Sequence, residues 1–219
     1  MPGPPANTLR YGLSEAYEST FPVRIEEKCM ELSGTHKTLL FEESAITPEV
    51  VESRAYRTMI DPEELLGLGF EPYQALTPGL LVPLYDMFGH VSSYQYRPDN
   101  PRTNGEGKGV KYETRAGHRQ VLDANPIVGE RLREPKEPLV VTEGARKADA
   151  AISEGYVAVA LSGVWCWHKD RVPLPEWEDI KLYGREVYVA FDSDAQTNPH
   201  VLKALTGLCE FLRSRGANA

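Results

Sequence analysis

Cysteine is scarce in this chain. Cys29, Cys166 and Cys209 lie far apart and form no CxxC pair. That spacing excludes the common cysteine zinc site and argues against a disulfide framework, so buried or incidental thiols are expected. Apolar runs of about 18 residues are also missing, which excludes a spanning helix. The start, Met1-Pro2-Gly3-Pro4-Pro5, lacks a basic stretch followed by an apolar one, as a secretory leader would have. A soluble, cytoplasmic protein with no membrane partner is the expectation. Positive charge is short as well: 24 Lys and Arg face 32 Asp and Glu, a net charge of −8. A stand-alone duplex binder carries an excess of positive charge. Any nucleic acid would therefore be handled through a local basic strip, a bound metal or a partner domain. His90, His118, His168 and His200 show no paired spacing such as HExxH, so a histidine-centred hydrolase finds no support.

What is present reads as an α/β protein in three parts. Its 219 residues and 41% hydrophobic content suffice for one large domain or two modest ones. Residues 1–60 read as mostly helical. Thr47-Pro48-Glu49 sets a cap residue before a proline at the first helical position, and Asp61-Pro62-Glu63-Glu64 repeats the device as a capping box. Two short helices in succession invite a helix-turn-helix reading, but no face rich in Arg, Asn or Gln follows, and ordinary packing is expected. Residues 61–137 form a smaller mixed α+β unit. Leu80-Leu81-Val82-Pro83-Leu84-Tyr85, a turn at 86–89 and a strand at 90–96 are followed by a polar loop and a short strand at 110–113.

From residue 138 the pattern becomes βαβ. Strands are expected at 139–142, 157–161 and 186–191, with helices at 145–154 and 198–215 stopped by Gly155 and Gly216. Alternation of this kind implies a parallel, Rossmann-like sheet flanked by helices, joined by right-handed crossovers. The chain stops where another strand is expected, which would leave an exposed sheet edge, as in a fragment or a sheet completed by a partner.

Two of these strands end in acid. Leu139-Val140-Val141-Thr142 leads to Glu143-Gly144, and Val187-Tyr188-Val189-Ala190-Phe191 leads to Asp192-Ser193-Asp194. The C-terminal edge of an open α/β sheet is where ligands usually bind. Each carboxylate alone would serve as a helix or turn cap. Together they repel: two carboxylates about 4 Å apart cost roughly 4 kcal/mol at an effective dielectric near 20. A divalent cation removes that repulsion, and hard oxygen donors suit Mg2+ or Mn2+ better than zinc or copper. Gly105-Glu106-Gly107-Lys108-Gly109 only imitates a phosphate loop, since Arg102 and Gly109 stand where Gly and Ser or Thr are required. It is expected to be a flexible basic loop near nucleic-acid phosphates. Trp165-Cys166-Trp167-His168 is expected to plug the side of the sheet, with base stacking as the alternative.

Glu-Gly after a first strand, followed one βαβ unit later by a strand ending Asp-x-Asp, resembles a TOPRIM domain. The likeness to the primase branch reaches upstream, through Leu-Val-Pro-Leu-Tyr-Asp-x-x-Gly-His at 81–90, Tyr96-Arg97-Pro98 and Lys111-Tyr112-Glu113. Within that branch the chain is most similar to primase-like replication proteins of phages, plasmids and integrated mobile elements, which carry a similar Thr-Glu-Gly-x-x-Lys-Ala-Asp-Ala run. The resemblance implies catalytic and metal-binding roles for Glu143, Asp192 and Asp194, with Mg2+ or Mn2+ as cofactor. It also implies that Arg97, Lys108, Lys111 and Lys147 meet nucleic-acid or nucleotide phosphates. Single-stranded DNA, nucleoside triphosphates and a helicase or other replication protein would be the partners.

Primer synthesis by nucleotidyl transfer is the implied reaction. Phosphodiester hydrolysis on the same metal cluster is one alternative, and a non-catalytic binding module is another. Primases usually carry an aspartate four residues after the glutamate, where this chain has Lys147; the nearest acid, Asp149, is the candidate auxiliary acid. On a helix Lys147 lies one turn from Glu143 and is placed to pair with it or to reach a phosphate. No zinc module precedes the core, and no tyrosine is assignable as a strand-cleaving nucleophile.

Overall fold

The computed structural model describes residues 32–192 and 197–219, so the expected helical character before residue 32 lies outside it. Helix α1, Gly34–Lys37, is capped by Ser33, whose side chain accepts from the His36 N–H, and runs on into a π-helical turn, Thr38–Glu43. Helix α2, Pro48–Arg54, has its proline in the first turn, as expected. Thr47 makes no side-chain capping bond; its N–H instead donates to Ser153 Oγ at 2.9 Å. Helix α3, Pro62–Gly67, starts at Asp61, which accepts from the Glu63 N–H. Glu64 accepts from Arg57 at 2.6 Å. Strand β1, Arg57–Met59, lies between α2 and α3, so the two short helices do not form a helix-turn-helix.

Strand β1 pairs antiparallel with β2, Gly79–Tyr85, which pairs with β3, Val91–Pro98, and that with β4, Glu113–Thr114. Strand β4 sits at the end of the expected 110–113 strand. All seven residues of β2 are buried, and they alternate between two cores. Leu80, Val82 and Leu84 face the main core, while Leu81 joins Met59, Leu65, Phe70 and Tyr96. Gly79 is required at the start of β2, because a Cβ there would meet the Tyr96 hydroxyl at 2.4 Å.

The second sheet is parallel. Strand β5, Leu139–Glu143, leads through α4, Ala145–Ser153, to β6, Val157–Leu161. A small hairpin follows, β7 (His168–Lys169) with β8 (Val172–Pro173), then β9, Val187–Ala190, and α5, Pro199–Ser214. The strand order is β6-β5-β9, with β5 in the centre. Asn198 caps α5 by accepting from the His200 N–H. Residues 121–125 stitch the two sheets together. Asp123 and Ala160 exchange both backbone bonds along the outer edge of β6, and the Ala124 N–H donates to Tyr85 O at the end of β2.

The other edge strand is β9, and residues near Asn218 pair beside its start. Asn218 donates to Arg185 O and accepts from the Val187 N–H in a parallel bridge, while Tyr188 beyond it stays exposed.

A buried polar network ties the two sheets more tightly. Arg54, at the end of α2, is fully buried and forks onto both oxygens of Asp149 in α4, at 3.0 and 2.7 Å. It also donates to Asp123 and to Pro83 O. Tyr56 and Asn125 complete the shell around Asp149. Burial pushes the Asp123 carboxyl up against the opposing pull of the Arg54 guanidinium, and burial beside the Asp149 carboxylate raises the Tyr56 hydroxyl.

Candidate active site

Glu143 is the last residue of β5. Gly144 follows at φ +85°, a left-handed conformation natural to glycine, and its N–H donates to Leu161 O at 2.8 Å. The chain thus turns sharply from strand into α4 with Glu143 left at the sheet's C-terminal edge. Strands β5 and β9 are in register at Thr142 and Ala190, and Thr142 Oγ donates to Ala190 O at 2.8 Å. Glu143 therefore stands one residue past this lock and Asp192 two residues past it, on neighbouring strands spaced about 4.8 Å apart. The two strand ends are neighbours in the parallel sheet. Asp194, the third member, lies outside the described residues.

Lys147, in the first turns of α4, reaches across the edge and forms an ion pair with Asp192. The sequence sets it either to pair with Glu143 one turn back or to reach a phosphate; its ion pair with Asp192 spans from the helix to a neighbouring strand end. Both partners are substantially exposed, at 46% and 61%. Ion pairs this exposed contribute about 0–1 kcal/mol, so a divalent cation can displace the ammonium. Among the described residues no group of three potential metal ligands gathers. The two carboxylates that are described offer hard oxygen donors, which fits Mg2+ or Mn2+.

Asp149 departs from the expectation of an auxiliary acid. It is fully buried, and its two oxygens accept from Arg54, Tyr56 and Asn125. Its place on α4, beside buried Ala145, Ala148 and Ile152, turns it toward α2 and into the internal network.

The basic candidates divide. Lys111 is exposed, in a segment that touches the parallel unit at two points. At one end of it the Tyr112 hydroxyl accepts from Arg146 of α4 at 3.0 Å; at the other, Gln120 contacts Cys166 Sγ at 3.6 Å. Cys166 in turn senses Glu143: burial raises its thiol pKa, and the Glu143 carboxylate raises it further. Arg97 lies on β3 opposite Leu80, in the antiparallel sheet. Lys108 sits in an exposed loop closed by a Thr103–Gly109 bridge and pairs with Glu106 at 3.6 Å. Within that loop Asn104 accepts from the Glu106, Gly107 and Lys108 N–H groups. The amides that a phosphate loop would offer are already bonded internally, as the failed motif implied.

The tryptophan run also divides. Trp167 is the plug, stacked on Phe211 of α5 with centroids 5.4 Å apart, and its carbonyl accepts from Trp177. Trp165 is 40% exposed at the opposite side of Cys166. Arg146 was not singled out from sequence, whereas Trp165 was, within the run whose alternative reading is base stacking. Arg146 had a readable signal, its position three residues after the strand-end glutamate, in the first turn of the following helix.

Comparison with known proteins agrees with this architecture. The family model of a domain of unknown function, DUF3854, matches residues 131–219. An uncharacterized protein of the cyanobacterium Picosynechococcus is 30% identical over 88 residues, 35% of this chain and 9% of that protein. Among solved structures, the zinc-binding and RNA polymerase domains of Aquifex aeolicus primase superpose with a TM-score of 0.58 at 18% identity, covering 86% of this chain. The DnaG primase catalytic domain bound to single-stranded DNA superposes over 80% of it with a TM-score of 0.51 at 15% identity. The chain spans 49% of the first structure and 58% of the second. An antiparallel unit leading into a three-stranded parallel sheet with its acidic C-terminal edge is thus the fold of a primase catalytic core.

Proposed function

We propose that this chain is a metal-dependent, primase-like nucleic-acid module that joins nucleotides on a single-stranded DNA template, in the replication of a mobile element. The observation that carries the reading is the pair Glu143 and Asp192 on neighbouring parallel strand ends, next to a helix whose Arg146 holds the Tyr112 hydroxyl, one residue from Lys111. Glu143, Asp192 and Asp194 would hold Mg2+ or Mn2+, which when bound neutralises triphosphate charge and polarises the phosphoryl group for in-line attack. Lys147 supplies a tethered positive charge at the same edge and turns from Asp192 to a phosphate oxygen when substrate arrives. Lys111 steers the phosphate backbone across the edge; Arg97 and Lys108 extend the basic path along the antiparallel sheet. A related fold, the DnaG catalytic domain, has been captured with single-stranded DNA, which supports that template class. A helicase or another replication protein would supply the long-range DNA grip that a chain of charge −8 lacks.

One observation favours a different reading. The Lys147–Asp192 pair already neutralises part of the acidic edge without a metal, as a module retained only for binding would. Primer synthesis from nucleoside triphosphates on single-stranded DNA separates the readings. The proposal expects Mg2+-dependent products that fall to background in Asp192→Ala. Metal-dependent cleavage without triphosphates would assign the same site to a nuclease. Neither activity, with DNA binding intact in Asp192→Ala, would leave the binding module standing.

A further inference from the structure

Trp165 stands at the acidic edge without a role in the fold that its neighbour Trp167 fills. It leaves β6 through Ser162-Gly163-Val164, and β6 is in register with β5 at Leu161 and Glu143. Cys166, the next residue, touches the Gln120 side chain and packs against Gly163. The indole is 40% exposed and meets the edge of the His168 ring, 6.3 Å away.

The hairpin that follows is built at a cost. Asp170 and Arg171 connect β7 to β8 with φ +51° and +67°, both left-handed and neither glycine. A two-residue turn serving only to reverse the chain would take Asn-Gly, Asp-Gly or Gly-Gly, so Asp170 suits its place and Arg171 is the unusual residue. Keeping charged side chains at strained positions is a mark of sites where those side chains are used. Lys169 and Arg171 are exposed on this tip. Arg119, in the segment with Lys111, pairs with Glu176 just beyond the hairpin at 2.5 Å. The exposed indole thus meets the first residue of a hairpin whose tip carries two exposed basic side chains, in a chain that is acidic overall.

We propose that Trp165 is a stacking platform for a base of single-stranded DNA, with Lys169 and Arg171 holding the adjoining phosphates as the strand approaches Glu143. This rests on the nucleic-acid reading above and adds a base contact to it. Stacking suits this place because every base has a π-face, so grip is gained without sequence preference. A duplex cannot use it, since its bases are already stacked on one another.

The test is binding of fluorescein-labelled dT20, and of a 20-base-pair duplex of matched label, to the full chain by anisotropy at low salt. Trp165→Ala should weaken dT20 binding about five- to hundredfold, with Trp165→Phe within about threefold of wild type. Duplex binding should be unchanged in both variants. Lys169→Ala with Arg171→Ala should lower the salt dependence of dT20 binding. If the wild type binds dT20 and Trp165→Ala binds it equally well, the platform is refuted and the nucleic-acid reading stands. Equal weakening toward the duplex also refutes stacking, because the loss is then one of general surface. No binding of dT20 by the wild type overturns the platform together with the reading beneath it.

Discussion

The strand ends that carry Glu143 and Asp192 were legible because each closes a run of apolar, strand-forming residues, and they lie side by side in the parallel sheet, at the edge where such sheets usually bind ligands. The structure adds Lys147, whose exposed ion pair with Asp192 is too weak to seal the site. Asp149 shows where single-residue reading stops. Ala145, Ala148, Asp149 and Ile152 form one buried stripe at helical spacing, so the sequence does hint that this acid faces inward. Its partner, Arg54, is 95 residues away and nothing local points to it. Cys166 offers a direct residue-scale check. The Glu143 carboxylate helps hold its thiol above the ordinary range, so removing that charge should favour the thiolate. Glu143→Gln is expected to raise the rate of iodoacetamide labelling at Cys166, followed by peptide mass spectrometry between pH 8 and 9. An unchanged rate would mean that Glu143 and Cys166 do not share the edge.

At the scale of elements, the parallel unit was the readable half. Its strands and helices fall within a residue or two of the spans expected from β-branched runs and glycine stops, because local pattern and tertiary environment agree there. Strand β1 was missed: three residues between two capped helices carry no period, and only pairing with β2 defines them. The β7–β8 hairpin was missed because its turn uses Asp170-Arg171 in place of glycine. The docking of α2 on α4 depends on Arg54 within a closed polar network. Arg54→Ala would strand two buried carboxylates, so its unfolding free energy in urea should fall by about 3–5 kcal/mol. A loss under about 1 kcal/mol would show that the network is relaxed or hydrated and does not join the elements.

For the whole molecule, the net charge of −8 and the primase-core fold pull in different directions, and geometry reconciles them. Glu143 and Asp192 stand at neighbouring strand ends, while exposed Lys111, Lys169 and Arg171 lie on a segment and a hairpin that flank Cys166 in contact or in sequence. The β9 edge, covered only at its start by Asn218, is a second feature set by the sheet as a whole and not by any one strand. Everything proposed for the chemistry depends on the acidic edge binding a divalent cation. The direct test is calorimetric titration of Mn2+ into the wild type and into the double variant Asp192→Ala, Asp194→Ala, with folding verified by circular dichroism. Saturable binding to the wild type, weakened at least about tenfold in the double variant as expected when two charged ligands are lost, is the predicted result. Equal binding by both proteins, or none by the wild type, would contradict it.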